Sequence, residues 1–495
     1  MRKKKILIVT CRFDEDRNGG ARAWRMPQAM APVFLAGAFK SALCDVRLYS
    51  ELYSGPLLDV ELLAWPDMLV LSGLQVDFDR FLHLTAYART LNPRVIVVAG
   101  GSLVEVLPVF SRKFFDYCCS GPVEEIKDAI GDAFGPDHVA EIFTPRYDLA
   151  YWSKGIGLVE SSRYCNFHCN FCTMSIGNNA YINFDPDDVR RQILSTGRKR
   201  IFFLDNNFYG NNIHQFERKL EMLKEMKRRG ELTSWGAELT ADFFAKGRNL
   251  ELARESGCAG LFCGVESFDP ESLASFDKRQ NITNQVEMIR RSLDAGILFL
   301  YGIIVDPTRR SIRSLRAEFE FILNNHEITL PSYFTLPVPL LGTPLFFEYL
   351  SAGAILPRTR IRDLDGTTLC LQPLEEVELF LEFWPAVLRW NNYKARLVAR
   401  TFRFLKHYKH SLNWTSCIAS LGNSAMQLLP KYRNKKRTFI STTECLDPVY
   451  QPVISVSSRF QNYFEPIYLI DAAGRLNPEL QEVLSHKKAQ KAQMG

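Results

Sequence analysis

Short apolar runs alternate with helix-like stretches twice over in this 495-residue chain, and that alternation leaves few folds open. In the first series the runs lie at 6–10, 45–50, 68–72, 95–99 and 115–119, with helical stretches at 26–42, 78–91 and 124–134. Buried strands separated by helices predict an α/β fold with a parallel, doubly wound sheet. A second series begins at Gly157, with strands at 157–161, 200–204, 234–239, 260–265, 298–305 and 328–335. Helices at 187–196, 213–229, 243–256, 284–295 and 311–324 separate them. Six strand–helix units predict an open or closed barrel whose chemistry sits at the carboxyl ends of its strands. The expected division is a Rossmann-like domain over 1–136, a linker over 137–155, a barrel over 156–345 and a mostly helical capping region over 346–495.

Composition narrows the function. The chain carries 61 Lys and Arg against 55 Asp and Glu, a net charge of +6 that demands no nucleic-acid partner. A hydrophobic share of 46% with 35 Phe excludes global disorder and permits an apolar or ring-bearing ligand. The basic residues of 1–5 precede only five apolar ones, which reads as a first strand and not a signal peptide. No segment offers 18 apolar residues without charge, so no membrane span is expected, and a cytoplasmic, reducing compartment follows. Twelve cysteines there imply buried thiols, a metal site, or both. The G-x-G-x-x-G fingerprint is missing after the first strand, which removes the best support for a nicotinamide site. Gly19–Gly20, Gly73 and Gly100–Gly101 fall at or near strand ends, as turn glycines or as a ligand-facing edge.

Cys165, Cys169 and Cys172 stand in the string CNFHCNFC, directly after the first strand of the second series. Three thiolates at this spacing converge from one loop and suit an iron–sulfur cluster with one exchangeable iron. Zinc is the alternative, completed by His168 or water; three unrelated core cysteines is the bland one. Cys258 and Cys263 bracket a strand and read as core thiols, and Cys370, Cys417 and Cys445 read as isolated ones.

With Phe171 in the aromatic position, the string resembles the C-x-x-x-C-x-aromatic-C hallmark of the radical S-adenosylmethionine (SAM) family. That resemblance implies a partial (β/α)6 barrel, a [4Fe–4S] cluster on the three cysteines, SAM on the fourth iron and a 5′-deoxyadenosyl radical. Other strings carry it further. Asp205-Asn206-Asn207-Phe208 is similar to the D-D-x-F string of the cobalamin-binding branch, with Asn206 in place of an acid. Gly264-Val265-Glu266-Ser267 looks like the family's G-I-E-S, near the ribose and methionine of SAM. Glu238 falls at a level where polar contacts to SAM are expected, and 339–344 is similar to P-x-x-G-T-P. The resemblance makes Phe171, Asp205, Asn206, Glu238, Gly264, Glu266 and Ser267 candidate cofactor contacts. Glu266 as a turn cap and Glu238 as an ion-pair partner are the structural alternatives.

The first domain resembles the cobalamin-binding domain of the same branch, through 25–39 and the run 95–101. The D-x-H-x-x-G string is absent and no His precedes His83, so cobalamin would bind without a histidine lower ligand. Pro122 also stands within a turn where the branch shows G-E-G-E. Ser72, Gly73, Gly100, Gly101, Ser120 and Gly121 are the expected cobalamin edge, with Leu74, Gln75 and Val76 as its floor. A domain that kept the fold and lost the cofactor is the alternative.

The resemblance implies methyl transfer to an unactivated centre of a small molecule through methylcobalamin and the 5′-deoxyadenosyl radical. Ring closure or rearrangement by a non-methylating enzyme, and a non-catalytic cobalamin or iron–sulfur binding protein, are the other readings. It also implies a small-molecule substrate, anionic or aromatic, and a low-potential electron donor such as flavodoxin or ferredoxin. A basic strip from Lys394 through Arg396, Arg400, Arg403, Lys406 and Lys409 to His410 is a solvated helix face or a contact for an anionic ligand or lipid surface.

Overall fold

The computed structural model describes residues 2–13, 29–153, 155–176, 179–276, 278, 284–388, 393–428 and 450–486. By packing, the chain divides into two compact units. The first joins Met1–Trp152 with Val338–Leu371 and Phe439–Gly495; the second joins Ser153–Pro337 with Gln372–Thr438. The region expected to form one cap over 346–495 is therefore shared between the units. Gly19–Gly20, the start of the stretch 25–39, and Cys445 lie outside the described residues.

The first unit holds β1 (Lys4–Thr10), β2 (Cys44–Ser50), β3 (Met68–Gly73), β4 (Ile96–Gly101) and β5 (Tyr117–Cys119). All pair in parallel in the order β2-β1-β3-β4-β5. Residues 6–10 of β1 are all buried, as a central strand covered on both faces requires. This order reverses between β1 and β3, which is where sheets of this kind generally hold a ligand, beyond the carboxyl ends of the strands. The expected linker is tied to this unit: Ala140 N donates to Ala38 O at 2.7 Å and Arg146 N to Val33 O at 3.0 Å.

Helix Phe78–Leu91 buries Asp79, Arg80 and His83 as well as its apolar residues. Arg80 pairs with buried Glu51 at 2.7 Å, and segment 450–486 covers the rest. Tyr450 hydrogen-bonds Asp79, His83 stacks on Phe464 at 4.4 Å, and Val453 N donates to Tyr87 Oη at 3.0 Å.

The second unit holds β6 (Gly157–Val159), β7 (Ser162–Arg163), β8 (Ile182–Asn183), β9 (Arg200–Phe203), β10 (Ser234–Leu239), β11 (Cys258–Cys263), β12 (Leu298–Leu300), β13 (Gly302–Ile304) and β14 (Tyr333–Thr335). Five strands form a parallel sheet in the order β12-β11-β10-β9-β6, and β13 pairs in parallel with β14. A bridge from Glu266 to Ile303 joins the continuation of β11 to β13. The run expected as one strand over 298–305 is thus split at Tyr301, whose buried hydroxyl donates to Thr329 O at 2.8 Å. The helices intervene where expected. Ile213–Arg228, for example, is capped by Asn212 and buries Phe216, Lys219, Leu220, Leu223 and Met226 on one stripe.

The basic strip does not form one solvated face. Arg400 is buried and donates to Ile322 O at 3.1 Å and Ile328 O at 2.6 Å, while Arg396 pairs with Glu320. Burial pulls the Arg400 guanidinium down to about 10.

Candidate active site

The cysteine loop is built from its neck outward. β7 and β8 pair antiparallel, Ser162 with Asn183 and Arg163 with Ile182, and close the loop that carries the three cysteines. Tyr164, just before Cys165, has φ of 62°. Glu266 has the same φ, so two of the three non-glycine residues in left-handed conformation among the described residues lie at this site. Cys172 N donates to Cys169 O at 3.1 Å, and the Ser175 hydroxyl donates to Cys172 O at 2.6 Å. Asn207 pins the loop from outside, donating to Asn166 Oδ1 at 2.7 Å. Phe171 packs edge-on against buried Phe276 with ring centroids 5.5 Å apart.

The three thiols lie within electrostatic reach of one another. Burial pushes the Cys172 thiol up to about 11, helped by the charges of Cys169, Cys165 and Glu266, and burial also raises Cys165. Bound iron supplies the positive charge such thiols need to ionise, so the donor set fits an iron–sulfur cluster. His168, the expected further ligand for zinc, is exposed, and among the described residues no group of three His, Cys, Asp or Glu side chains is drawn together around a single metal position.

The strand-end residues sort into two groups. Asp205 is 1% exposed and fully engaged by the protein: it accepts from Ser161 N at 2.7 Å, from Ser162 Oγ at 2.8 Å and from Ser161 Oγ. It therefore positions the strand leading into the cysteine loop. Ser267 is likewise committed, donating to Glu318 at 2.7 Å in a buried network with Arg310. Glu238 and Glu266 differ. Glu238, at the carboxyl end of β10, makes no side-chain hydrogen bond among the described residues, and burial with the nearby Asp205 pushes it up to about 7. Glu266 pairs with Lys278 at 2.8 Å, and Lys278 also donates to Gly264 O. A Cβ on Gly264 would collide with both side chains. Asn206 is exposed and donates to Met174 Sδ at 3.3 Å.

Asn207 and Lys278 are the residues that sequence reasoning missed. Asn207 stood in a string already marked. Lys278 follows Glu266 by twelve positions with no local pattern, and nothing in the sequence points to it.

In the first unit, pairing aligns Ser72 with Gly100 and Gly73 with Gly101, and Gly100 with Cys119, so the expected edge is a continuous row of strand ends. Leu74 is 63% exposed beside it. Gln75 is buried and consumed by Leu341, donating to its carbonyl at 3.3 Å and accepting from its N–H at 3.0 Å. It therefore braces the 339–344 stretch and is withdrawn from the floor. Ser120 is half-buried and Gly121 exposed, with Gly121 N held by Glu125 at 2.9 Å.

The two adjacent glycines differ in cause. Gly101 has φ of 118°, and a Cβ there would clash with the Gly73 carbonyl. A Cβ at Gly100 meets nothing closer than 3.5 Å, from Cys119 O. Gly101→Ala is thus expected to destabilise the protein by about 1–3 kcal/mol and Gly100→Ala to leave its melting curve unchanged.

Residues 159–313 match the radical SAM superfamily, so the chain carries a radical SAM domain. Among its relatives is the hopanoid C-2 methylase of Rhodopseudomonas palustris (strain TIE-1), 25% identical over 265 residues, 49% of this chain and 50% of that protein. Another is the bacteriochlorophyllide d C-12(1)-methyltransferase of Chlorobaculum tepidum, 30% identical over 196 residues, 38% of this chain and 41% of that protein. The matches span about half the length of these relatives or less. The structure is also similar to that of the cobalamin-dependent SAM radical enzyme OxsB with aqua-cobalamin and SAM bound. The TM-score is 0.52 at 16% identity, over 66% of this chain and 53% of that one, a likeness of fold. Among the described residues no helix is long and apolar enough to cross a membrane.

Proposed function

We propose that the protein is a cobalamin-dependent radical SAM enzyme that methylates an unactivated carbon of an apolar, ring-bearing small molecule. The observation that carries the reading is the loop of Cys165, Cys169 and Cys172 with Glu266 within electrostatic reach of Cys172, while Glu238 lies near the carboxyl end of β10 in the same sheet. The parallel sheet with an open glycine edge in the first unit supports the cobalamin half, and the two methylating relatives support the reaction and the substrate class. When bound, the cluster and cobalamin would supply an electron for cleaving the SAM sulfonium and a carrier for methyl.

The chain's own residues hold and orient. The three cysteines would ligate iron, and Glu238 and Glu266 would accept from the ammonium or ribose hydroxyls of SAM. Gly100, Gly101 and Leu74 would offer a flat surface to the corrin, with packing in place of a histidine below it. Reducing equivalents would come from flavodoxin or ferredoxin.

The test is anaerobic reconstitution with iron, sulfide and hydroxocobalamin, then incubation with SAM and dithionite. About four irons and one cobalt per chain, with 5′-deoxyadenosine and S-adenosylhomocysteine as products, are expected. Retained cobalt without S-adenosylhomocysteine would favour ring closure or rearrangement; iron without cobalt would overturn the methylcobalamin reading. Gly100→Ala sharpens the test, because it should weaken cobalamin retention while the fold stays intact.

Glu238 gives a pH signature. Its carboxyl titrates near pH 7 in the free protein, and the cationic cofactor prefers the carboxylate. SAM affinity should therefore rise about tenfold from pH 6 to pH 8 and stay flat in Glu238→Gln, as measured by equilibrium dialysis. Equal pH profiles would remove Glu238 from the site.

A further inference from the structure

We propose that helices Lys394–Tyr408 and Trp414–Leu428 form a docking surface for an anionic phospholipid bilayer. Charge is the first observation. Between Glu382 and Glu444 the sequence has twelve Lys and Arg and no Asp or Glu, which leaves 49 Lys and Arg against 55 Asp and Glu for the rest of the chain. The net positive charge of the protein is thus confined to one segment, and the remainder is acidic. On helix Lys394–Tyr408, Lys394, Arg403 and Lys406 are exposed, as is Lys409 just beyond it, and none has an ion-pair partner among the described residues.

The second observation is what stands between those cations. Each helix buries one face, through Leu397, Phe404 and Tyr408 on the first and Ser416 and Ser420 on the second. The first also turns Phe402 (71% exposed) and Val398 outward, one helical turn apart. The second exposes Trp414 (76%), Ile418 and Leu421 at the i, i+4, i+7 spacing of a single stripe. Neighbouring helices each exposing an apolar stripe are uncommon on a protein surface that has no partner. Trp and Phe beside unpaired Lys is the composition of a helix lying in the plane of a membrane interface: the rings enter the acyl boundary while lysine stems reach back to the phosphates. A nucleic acid would use the cations and the rings but would leave Val398, Ile418 and Leu421 in water. Among the described residues no helix is long and apolar enough to cross a bilayer, and the contact proposed is with the bilayer surface. The inference goes beyond the proposed reaction and does not depend on it.

The test is co-sedimentation of the full chain with vesicles of phosphatidylcholine alone or with about one-third phosphatidylglycerol. Binding to the anionic vesicles should be at least about tenfold tighter and should weaken steeply with salt. Lys406→Gln with Lys409→Gln should cost about 30-fold, and Phe402→Ser with Trp414→Ser about tenfold or more, with unchanged circular-dichroism melts in both. Equal binding to the two vesicle types, or wild-type binding by both variants, would overturn the proposal. So would tighter binding to a single-stranded RNA homopolymer that ignores Phe402→Ser with Trp414→Ser, which would make the surface a nucleic-acid contact.

Discussion

Replacing Cys165, Cys169 or Cys172 with alanine is expected to leave a folded protein that retains under one iron per chain after reconstitution. Production of 5′-deoxyadenosine should fall on the order of 10³-fold or more, because in the proposed reaction the radical starts from the cluster these three residues would hold. The physical case rests on how these three differ from the other cysteines. Cys258 and Cys263 are buried in β11, and burial raises Cys258 and pushes Cys263 up to about 12, so they stay thiols packed as small apolar side chains. Removing either should cost about 1–2 kcal/mol through the cavity left behind and leave the iron content alone. Burial also raises Cys165 and Cys172, but each of these feels the charge of Cys169, so the three thiols lie close enough together to share one cation, whereas no loop cysteine is among the groups that act on Cys258 or Cys263. Iron and sulfide assays on all five variants separate the two groups. If Cys258→Ala lost iron as completely as Cys169→Ala, or if Cys169→Ala kept it, the ligand assignment would fall.

Most strands of the two parallel sheets were legible in the sequence because a buried parallel strand is an apolar run that stands out, whereas the two-residue strands β7 and β8, the break at Tyr301 and the short β14 were not. The cysteine loop was legible because its spacing is local. What escaped detection depends on distant partners. Asp79, Arg80 and His83 are polar residues in the helical stretch expected at 78–91, and nothing local in the sequence marks them as buried. They are buried because residues 450–486 return to cover them, and the Asp79–Tyr450 contact spans 371 positions. Arg400 fits a basic face by spacing alone, yet it is buried with its guanidinium donating to the carbonyls of Ile322, in the last turn of a neighbouring helix, and Ile328, just beyond it. Gln75 sits among strand-end residues but is taken by Leu341. At the candidate site, the sequence placed Asp205 at a strand end without revealing that three protein donors already use its oxygens. Periodicity shows which residues are buried and leaves open what satisfies a buried polar group.

Asp205 therefore carries the second large expectation, one of stability before chemistry. Its carboxylate holds Ser161 and Ser162, and Lys219 reaches Ser161 Oγ at 3.2 Å and Phe208 O at 2.7 Å. Lys219 is 1% exposed, on the apolar stripe of its helix, with Asp205 as the charge that offsets its burial. Asp205→Ala leaves that ammonium and three donors uncompensated and should cost about 3–5 kcal/mol. Asp205→Asn keeps the shape, loses an acceptor and should cost about 1–3 kcal/mol. Because Ser162 opens the neck of the cysteine loop, both variants should also release iron faster than wild type. A pH series gives the independent check. Burial pulls Lys219 down to about 8 from an ordinary lysine value of 10.5. Between those two values the unfolded chain holds more protons than the folded one, so this group makes stability rise with pH across that window, by about 3 kcal/mol in all. Below pH 8 both states are protonated and its contribution is flat. Lys219→Met should remove the rise, which denaturant midpoints at pH 7.5 and 10 would show as a loss of slope relative to wild type. Asp205→Asn should instead move the onset to lower pH, since the ammonium has lost its counter-charge. Wild type and Lys219→Met with the same slope would mean that Lys219 does not carry a buried charge, and the account of how Asp205 anchors the loop would lose its electrostatic half.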